Sequence, residues 1–220
     1  MRRALDLIHR FLKSRYFYPA AFIGCLVPAI LLLIRVYQAV YLGDGHALGV
    51  NPVQTLEHET GEDALGILFL TLCITPLRRL TGWNRLQVVR RMVGVWSFVY
   101  AFAHLSIYVV FDQIGDPAAI WDDVIKRKFI FAGMSGFVLL LILAVTSTNG
   151  MIRLLKRNWQ KLHRLVYVAA IAGVVHFIWG QKADLEEPIK WAIWLAALLG
   201  IRVYFAMRKR TTTARVRAAA

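Results

Sequence analysis

Three histidines lie inside or at the edge of long apolar stretches, where an ionisable ring is costly. His104 stands in WSFVYAFAHLSIY, and His163 and His176 bracket HRLVYVAAIAGVVH. Ionisable side chains within hydrocarbon are rare and tend to mark function. Imidazoles there can hold a metal centre, relay protons, or hydrogen-bond to neighbouring helices. The helices on which the histidines lie, and their depths in those helices, decide between these roles.

The composition indicates that these histidines lie in membrane spans. The 220 residues are 58% hydrophobic with a mean hydropathy of +0.53, whereas soluble domains are roughly 45–50% apolar. Six apolar segments are long enough to cross about 30 Å of hydrocarbon as helices, the second and fifth only with their polar flanks. They are roughly 16–40, 60–77, 92–111, 129–146, 161–180 and 188–207. The sequence therefore predicts an all-α integral membrane protein, a six-helix bundle over 16–207, between an N-terminal segment 1–15 and a basic tail 208–220.

The distribution of charge orients the predicted bundle. The chain has a net charge of +14, with 27 Lys and Arg against 13 Asp and Glu. Most basic residues lie at the N-terminus, in the connections 78–91 and 153–164 and in the tail, where Asp6 is the only acidic residue. The positive-inside rule predicts that these segments, and with them both termini, are cytoplasmic. The basic loops then indicate topology and contact with anionic lipid rather than nucleic-acid binding.

His104 and His176 are predicted to lie at nearly the same depth, in the outer half of the membrane. The third span runs outward from about Arg91, which places His104 about 20 Å from its inner end. The fifth span runs outward from about Lys161, which places His176 about 22 Å up. Two imidazoles at one level on different helices can bind opposite faces of one haem.

A b-type haem agrees with the rest of the sequence, because it needs no covalent attachment and the chain has no CxxCH motif. Small neighbours that leave room for a macrocycle, and aromatic neighbours that pack around it, are Ala101, Ala103, Ala172, Gly173, Trp96, Phe98, Tyr100 and Trp179. The alternative is that the small residues only let helices approach closely and that each histidine is a packed, hydrogen-bonded residue. The equal depths favour a pair of haem ligands.

His163 lies about 20 Å below His176, near the cytoplasmic surface, and on an ideal helix the two would not share a face. Both can point inward only if the fifth span bends or begins irregularly. The matching position on the third span is Arg91, which is no ordinary haem ligand, so we expect one haem, in the outer half. His9 and His46 are expected to be solvated surface residues.

Basic residues near the level of His163 indicate a second cofactor. Arginine suits phosphate recognition, and a flavin mononucleotide (FMN) there would accept hydride equivalents and release single electrons. The candidate phosphate contacts are Arg78, Arg79, Arg90, Arg91 and Arg164. The alternative is that these arginines are topology determinants and lipid contacts.

Several ordered stretches resemble the MsrQ family (formerly YedZ) of haem-binding membrane subunits. They are NPVQTLEHETG at 51–61, TLCITPLRRL at 71–80, RRMVGVWSFVYAFAHLSIY at 90–108, TST at 146–148, RNWQKLHRLVY at 157–167 and HFIW at 176–179. The resemblance implies a ferric-reductase-like bundle in the bacterial inner membrane that binds b-type haem and FMN. It also implies that electrons pass to a periplasmic molybdopterin methionine sulfoxide reductase, MsrP, on which the sulfoxide chemistry takes place. The implied donor is a cytoplasmic flavin reductase or quinone.

The same resemblance matches His104, His163 and His176 to the family's membrane histidines and His58 to its external H-x-T-G motif. His58 is then a candidate contact for a haem propionate or for the partner, or simply a helix-start residue. The role of His163 is left open: it is either a second haem ligand or a residue of the flavin site. Two other hypotheses compete: a diheme cytochrome b that oxidises quinol, and a transporter or assembly protein whose histidines relay protons without a chromophore.

Overall fold

The computed structural model describes residues 10–181 and 185–218, with side chains described up to 208, and these ranges fold into helices joined by short connections. The helices are α1 Phe17–Tyr41, α2 Pro52–Thr81, α3 Leu86–Ile107, α4 Pro117–Lys126, α5 Lys128–Val145, α6 Asn149–Leu155, α7 Arg157–Leu162, α8 Val166–Gly180 and α9 Glu186–Ala218. A π-helical turn, Tyr108–Asp112, extends α3, and a 3-10 turn, His163–Leu165, joins α7 to α8. His9 lies outside the described residues.

Six of the helical segments are long and apolar enough to cross a membrane, which confirms the predicted six-span architecture. They are Phe17–Tyr41, Pro52–Thr81, Leu86–Asp112, Lys128–Val145, Arg157–Gly180 and Glu186–Arg208. We call the side with the 82–85 and 146–156 connections the basic face, and the side with the 42–51, 113–127 and 181–185 connections the acidic face.

The second span begins earlier than the sequence pattern predicted. Its helix starts at Pro52 rather than near residue 60, because Asn51 caps it by accepting the amide of Gln54 and proline suits the first helical turn. The added turns carry His58 on the helix at the acidic face. At the other end of the chain, α9 continues through the predicted tail boundary to Ala218.

Helix α2 is the centre of the bundle, because half of its apolar window is buried, against 11–22% for the other spans. One face of α2 packs with α5, α8 and α9 through a core that includes Leu68, Leu72 and Ala170. Its other face packs with α1 and α3 around Ile67 and Val93. Helices α2, α3, α5 and α8 therefore enclose the interior, and α1 and α9 flank it.

Helix α1 is attached to this core through a break in its own hydrogen bonding. Pro28 lies inside α1, and next to it the hydroxyl of Tyr100 on α3 inserts into the turn. It donates to the carbonyl of Cys25 at 2.8 Å and accepts the amide of Ala29 at 2.9 Å. One phenol thus satisfies two backbone groups that an uninterrupted helix would pair with each other.

The fifth span has the irregular start that the spacing of His163 and His176 requires. Helix α7 ends at Leu162, and His163–Leu165 forms a 3-10 turn before α8 begins at Val166. Before α7, Lys156 adopts a positive φ of 47°, which turns the chain back into the bundle.

Candidate functional site

The structure brings His104 of α3 and His176 of α8 together in the half of the bundle nearer the acidic face. Their ring centroids are 6.0 Å apart and their planes are inclined by 79°. Both side chains lie between α2, α3, α5 and α8 and line the same cavity. The two residues that the sequence placed at equal depth therefore face each other across the bundle interior.

Each of these imidazoles is fixed by a hydrogen bond to a backbone carbonyl. Nδ1 of His104 lies 2.8 Å from the carbonyl oxygen of Glu57, and Nδ1 of His176 lies 2.7 Å from that of Phe129. A carbonyl only accepts, so each Nδ1 carries the proton and each neutral ring keeps its lone pair on Nε2. This is the tautomer of a metal-ligating histidine that a second hydrogen bond orients.

Two glycines make room for these rings in the same way. Gly61 lies four residues after Glu57 on α2, and Gly133 lies four residues after Phe129 on α5. A Cβ at Gly61 would lie 3.2 Å from the His104 ring, and one at Gly133 would lie 2.6 Å from Nδ1 of His176. In both cases the missing side chain leaves the carbonyl one turn earlier open to an imidazole.

The cavity beside the two histidines has a volume of about 380 Å³ and apolar walls from the four inner helices. Among the described residues, no group of three or more His, Cys, Asp or Glu side chains is placed to hold a metal ion. Two opposed imidazoles are therefore the donor set that this part of the chain offers. Such a pair suits a metal whose remaining ligands come from a macrocycle.

Polar residues surround the outer mouth of this cavity. The imidazole of His58 lies 3.6 Å from a carboxylate oxygen of Glu62 and packs edge-on against Phe177 at 5.7 Å. Nε2 of Gln181 lies 3.4 Å from Nε2 of His58. Arg127 also lines the cavity. The rim is mixed in charge: Arg127, His58 and Gln181 can donate to a bound molecule, and the carboxylates of Glu57, Glu62 and Asp112 line the same cavity.

The π-helical turn after α3 holds the rim in place. The hydroxyl of Tyr108 donates to Asp123 of α4 at 2.9 Å, and Gln113 donates to the same carboxylate oxygen at 3.1 Å. The other oxygen of Asp123 lies 3.0 Å from Nε of Arg127. Asp123 therefore connects the end of the third span to Arg127 at the cavity mouth.

His163 has a different environment from the opposed pair. Its Nδ1 lies 3.1 Å from the carbonyl of Trp159, and its Nε2 lies 3.3 Å from the hydroxyl of Ser147. Its ring stacks on the Trp159 indole with centroids 3.9 Å apart. Both ring nitrogens of His163 therefore have partners within the chain.

The structure separates the five predicted arginines. Arg78 and Arg90 are half-buried and interact electrostatically with each other, and Arg90 also interacts with His163. Arg79 packs over the ring of Phe205 at 5.3 Å. The remaining two are exposed, Arg91 donating to Asn149 and Arg164 lying on the basic face.

Sequence reasoning missed several residues that form these sites. Gly133 stands in a helical stretch with no turn signal, and only the facing histidine explains it. Gly61 was noted only as the last residue of the H-x-T-G motif, without a role of its own. Arg127 lies in the connection just before the fourth apolar segment, where a basic residue at a helix end is ordinary. Arg202 carried a signal that was available, since it is a charged residue inside the apolar run ALLGIRVYFAM.

Comparison with known proteins agrees with this architecture. The family model described as "Ferric reductase like transmembrane component" matches residues 60–174, which covers α3 and α5 in full, α2 from Thr60 and α8 up to Val174, and ends before His176. A protein-methionine-sulfoxide reductase heme-binding subunit MsrQ from Xanthomonas euvesicatoria is 45% identical over 192 residues, 87% of this chain and 88% of that protein. Its counterpart from Xanthomonas campestris is 47% identical over 77% of this chain and 78% of its own length. The one from Herminiimonas arsenicoxydans is 47% identical over 74% and 77%.

Proposed function

The chain belongs to the MsrQ family of ferric-reductase-like membrane proteins, and we propose that it carries electrons across the bacterial inner membrane to a periplasmic methionine sulfoxide reductase. It is a multi-pass membrane protein, and the relatives are named as heme-binding subunits of protein-methionine-sulfoxide reductase. The proposal places both termini and the basic face in the cytoplasm, as the charge distribution favours.

The single observation that carries the proposal is the opposed pair His104 and His176, which we assign as the ligands of one b-type haem. Their ring centres lie 6.0 Å apart on different helices, so both imidazoles would be available to hold one metal ion between them. A haem bound there supplies reversible one-electron oxidation and reduction.

The residues around this pair orient the rings and exclude water. The carbonyls of Glu57 and Phe129 keep Nδ1 of each ring protonated and prevent ring rotation. Gly61 and Gly133 allow that close contact. The walls are mostly apolar, which favours the neutral imidazoles that metal ligation requires.

On the basic face we propose an FMN site beside His163, with Arg78 and Arg90 as the innermost of the five candidate phosphate contacts. Flavin bound there would accept two-electron equivalents and release single electrons. His163 would line this site rather than bind a second iron, because the other described histidines all lie nearer the acidic face and none of them stands opposite it. The electron donor would be a cytoplasmic flavin reductase or quinone.

On the acidic face we propose that His58 and Arg127 contact acidic groups of the cofactor, because both line the mouth of the cavity. The partner would be MsrP, whose molybdopterin centre carries out the reduction of methionine sulfoxide. This chain would then conduct electrons and leave the sulfoxide chemistry to its partner. Its role would be to support repair of oxidised periplasmic proteins.

A diheme cytochrome that oxidises quinol is less well supported. It needs two more iron ligands near the basic face, where His163 is the one histidine among the described residues and Arg91 donates to Asn149. A proton-relaying transporter would not require two imidazoles that both direct Nε2 away from their backbone partners. The opposed geometry therefore favours the one-haem pathway.

Electron transfer across vesicles tests the proposed function. The purified full chain is reconstituted with its haem into liposomes that contain ferricyanide, and flavin reductase with NADH and FMN is added outside. We expect ferricyanide reduction that depends on the chain and is lost in His104→Ala. The matched control is His46→Ala, at an exposed histidine of the 42–51 connection, which should keep the wild-type rate. Equal rates in His104→Ala and wild type would refute the proposal.

A further inference from the structure

A cluster of arginines lies within the membrane part of the bundle on the side of the basic face, and it includes a residue outside the predicted flavin contacts. Arg202 of α9 lies six residues, or about 9 Å, inside the end of the sixth span at Arg208. Its positive charge and that of Arg90 of α3 repel each other, as do those of Arg90 and Arg78 of α2. Three spans therefore direct guanidinium groups to one region.

Arg202 is held in place by groups that do not neutralise it. It donates to the hydroxyl of Tyr167 at 2.5 Å and to the carbonyl of Leu72 at 2.6 Å, and its guanidinium carbon lies 5.0 Å from the centre of the Tyr167 ring. These contacts fix the position of the planar Arg202 guanidinium group and leave its positive charge uncompensated. Tyr167 lies on α8, so a fourth span supports the arrangement.

The cluster has unsatisfied donors and lacks a carboxylate. Nε of Arg78 and Nε of Arg202 are both buried without a hydrogen-bond partner in the described part of the chain. Within the same residues, every ion pair found involves Arg35, His58, Lys126, Arg127 or Lys190, none of which belongs to the cluster. Buried charges are normally paired, and several like charges together are costly without a counter-ion.

We propose that Arg78, Arg90 and Arg202 form one anion site that binds a phosphate group from the basic face. Guanidinium groups match phosphate because their planar N–H donors reach two oxygens at once. The phosphate belongs either to FMN, which rests on the function proposed above, or to a membrane phospholipid. FMN is the favoured source because the three arginines lie on the side of the bundle where the flavin site is proposed.

The test compares FMN with riboflavin, which lacks the phosphate, by fluorescence titration of the haem-loaded full chain in detergent. The wild type is expected to bind FMN more tightly than riboflavin. Arg202→Gln is expected to weaken FMN binding about tenfold to one-hundredfold and to leave riboflavin binding unchanged. Arg202→Lys keeps the charge but loses the planar guanidinium group, so its FMN affinity should lie between those of the wild type and Arg202→Gln. The control is Arg85→Gln, an exposed arginine of the 82–85 connection, which should match the wild type.

Haem content and thermal stability of each variant show whether it is folded, and bound phospholipid is measured in the same samples by native mass spectrometry. If Arg202→Gln keeps full FMN affinity but loses a phospholipid that the wild type retains, the anion site stands with lipid as its ligand. If neither FMN nor phospholipid binding changes in folded Arg202→Gln, the anion site is refuted. A wild type that binds no flavin would refute the FMN part of the proposed function, and the phospholipid measurement would still decide the anion site.

Discussion

Replacing Gly133 by alanine tests how the His176 ring is held. The added Cβ would lie 2.6 Å from Nδ1 and 2.9 Å from Cε1 of His176. The ring must move by roughly 1 Å to reach an ordinary contact distance of about 3.5 Å. That movement breaks its 2.7 Å hydrogen bond to the Phe129 carbonyl. Without haem the ring can rotate away, so the penalty falls mainly on the haem-bound state.

The size of the Gly133→Ala effect follows from two terms. A lost hydrogen bond costs about 0.5–1.5 kcal/mol and an overpacked contact about 1–3 kcal/mol. The combined loss of about 1.5–4.5 kcal/mol corresponds to roughly 10- to 1,600-fold weaker haem binding. Gly61→Ala should be milder, because its Cβ would lie 3.2 Å from the His104 ring and needs a shift of only a few tenths of an ångström.

The assay is haem titration of apoprotein, followed by the visible spectrum and by transfer of haem to apomyoglobin. Gly24→Ala is the matched control, because a Cβ at that position on α1 meets nothing within 4 Å. It should keep the wild-type affinity and spectrum. Gly133→Ala with wild-type haem affinity, or Gly24→Ala with an equal loss, would refute the idea that Gly133 exists to seat His176.

Two further substitutions probe the supports of the site. Tyr100→Phe removes the hydroxyl that fills the opened turn beside Pro28, so we expect the free energy of unfolding to fall by about 1–3 kcal/mol. The melting temperature should be lower and the haem content unchanged. An unchanged melting temperature would contradict that role. Asp123→Ala leaves Arg127 without its ion pair and should speed haem transfer to apomyoglobin severalfold, with the haem stoichiometry unchanged. Transfer at the wild-type rate would show that the contacts of Asp123 do not support the cavity mouth.

Much of the architecture was predictable because membrane-spanning helices require long runs of apolar residues. All six spans were found, and the basic connections could be grouped on one face. The start of α2 was misplaced because the residues after Pro52 are polar, although the Asn51–Pro52 capping signal was present in the sequence. The start of α2 is therefore set by the hydrogen bond at Asn51, and the hydropathy pattern alone places it too late.

The candidate site was predictable only in part. Counting residues along two helices was enough to place His104 and His176 at one level, since helical rise is constant. The two glycines and the carbonyls of Glu57 and Phe129 could not be found this way, because they depend on which helix faces which. The convergence of Arg78, Arg90 and Arg202 likewise required the packing of α2, α3 and α9.

The most direct test of the central claim is the haem content and reduced-minus-oxidised spectrum of the purified chain and three variants. We expect about one b-type haem per wild-type chain, lost in His104→Ala and in His176→Ala. His163→Ala should retain that haem with an unchanged spectrum. Two haems per wild-type chain, with one lost in His163→Ala, would contradict the account and favour the diheme alternative.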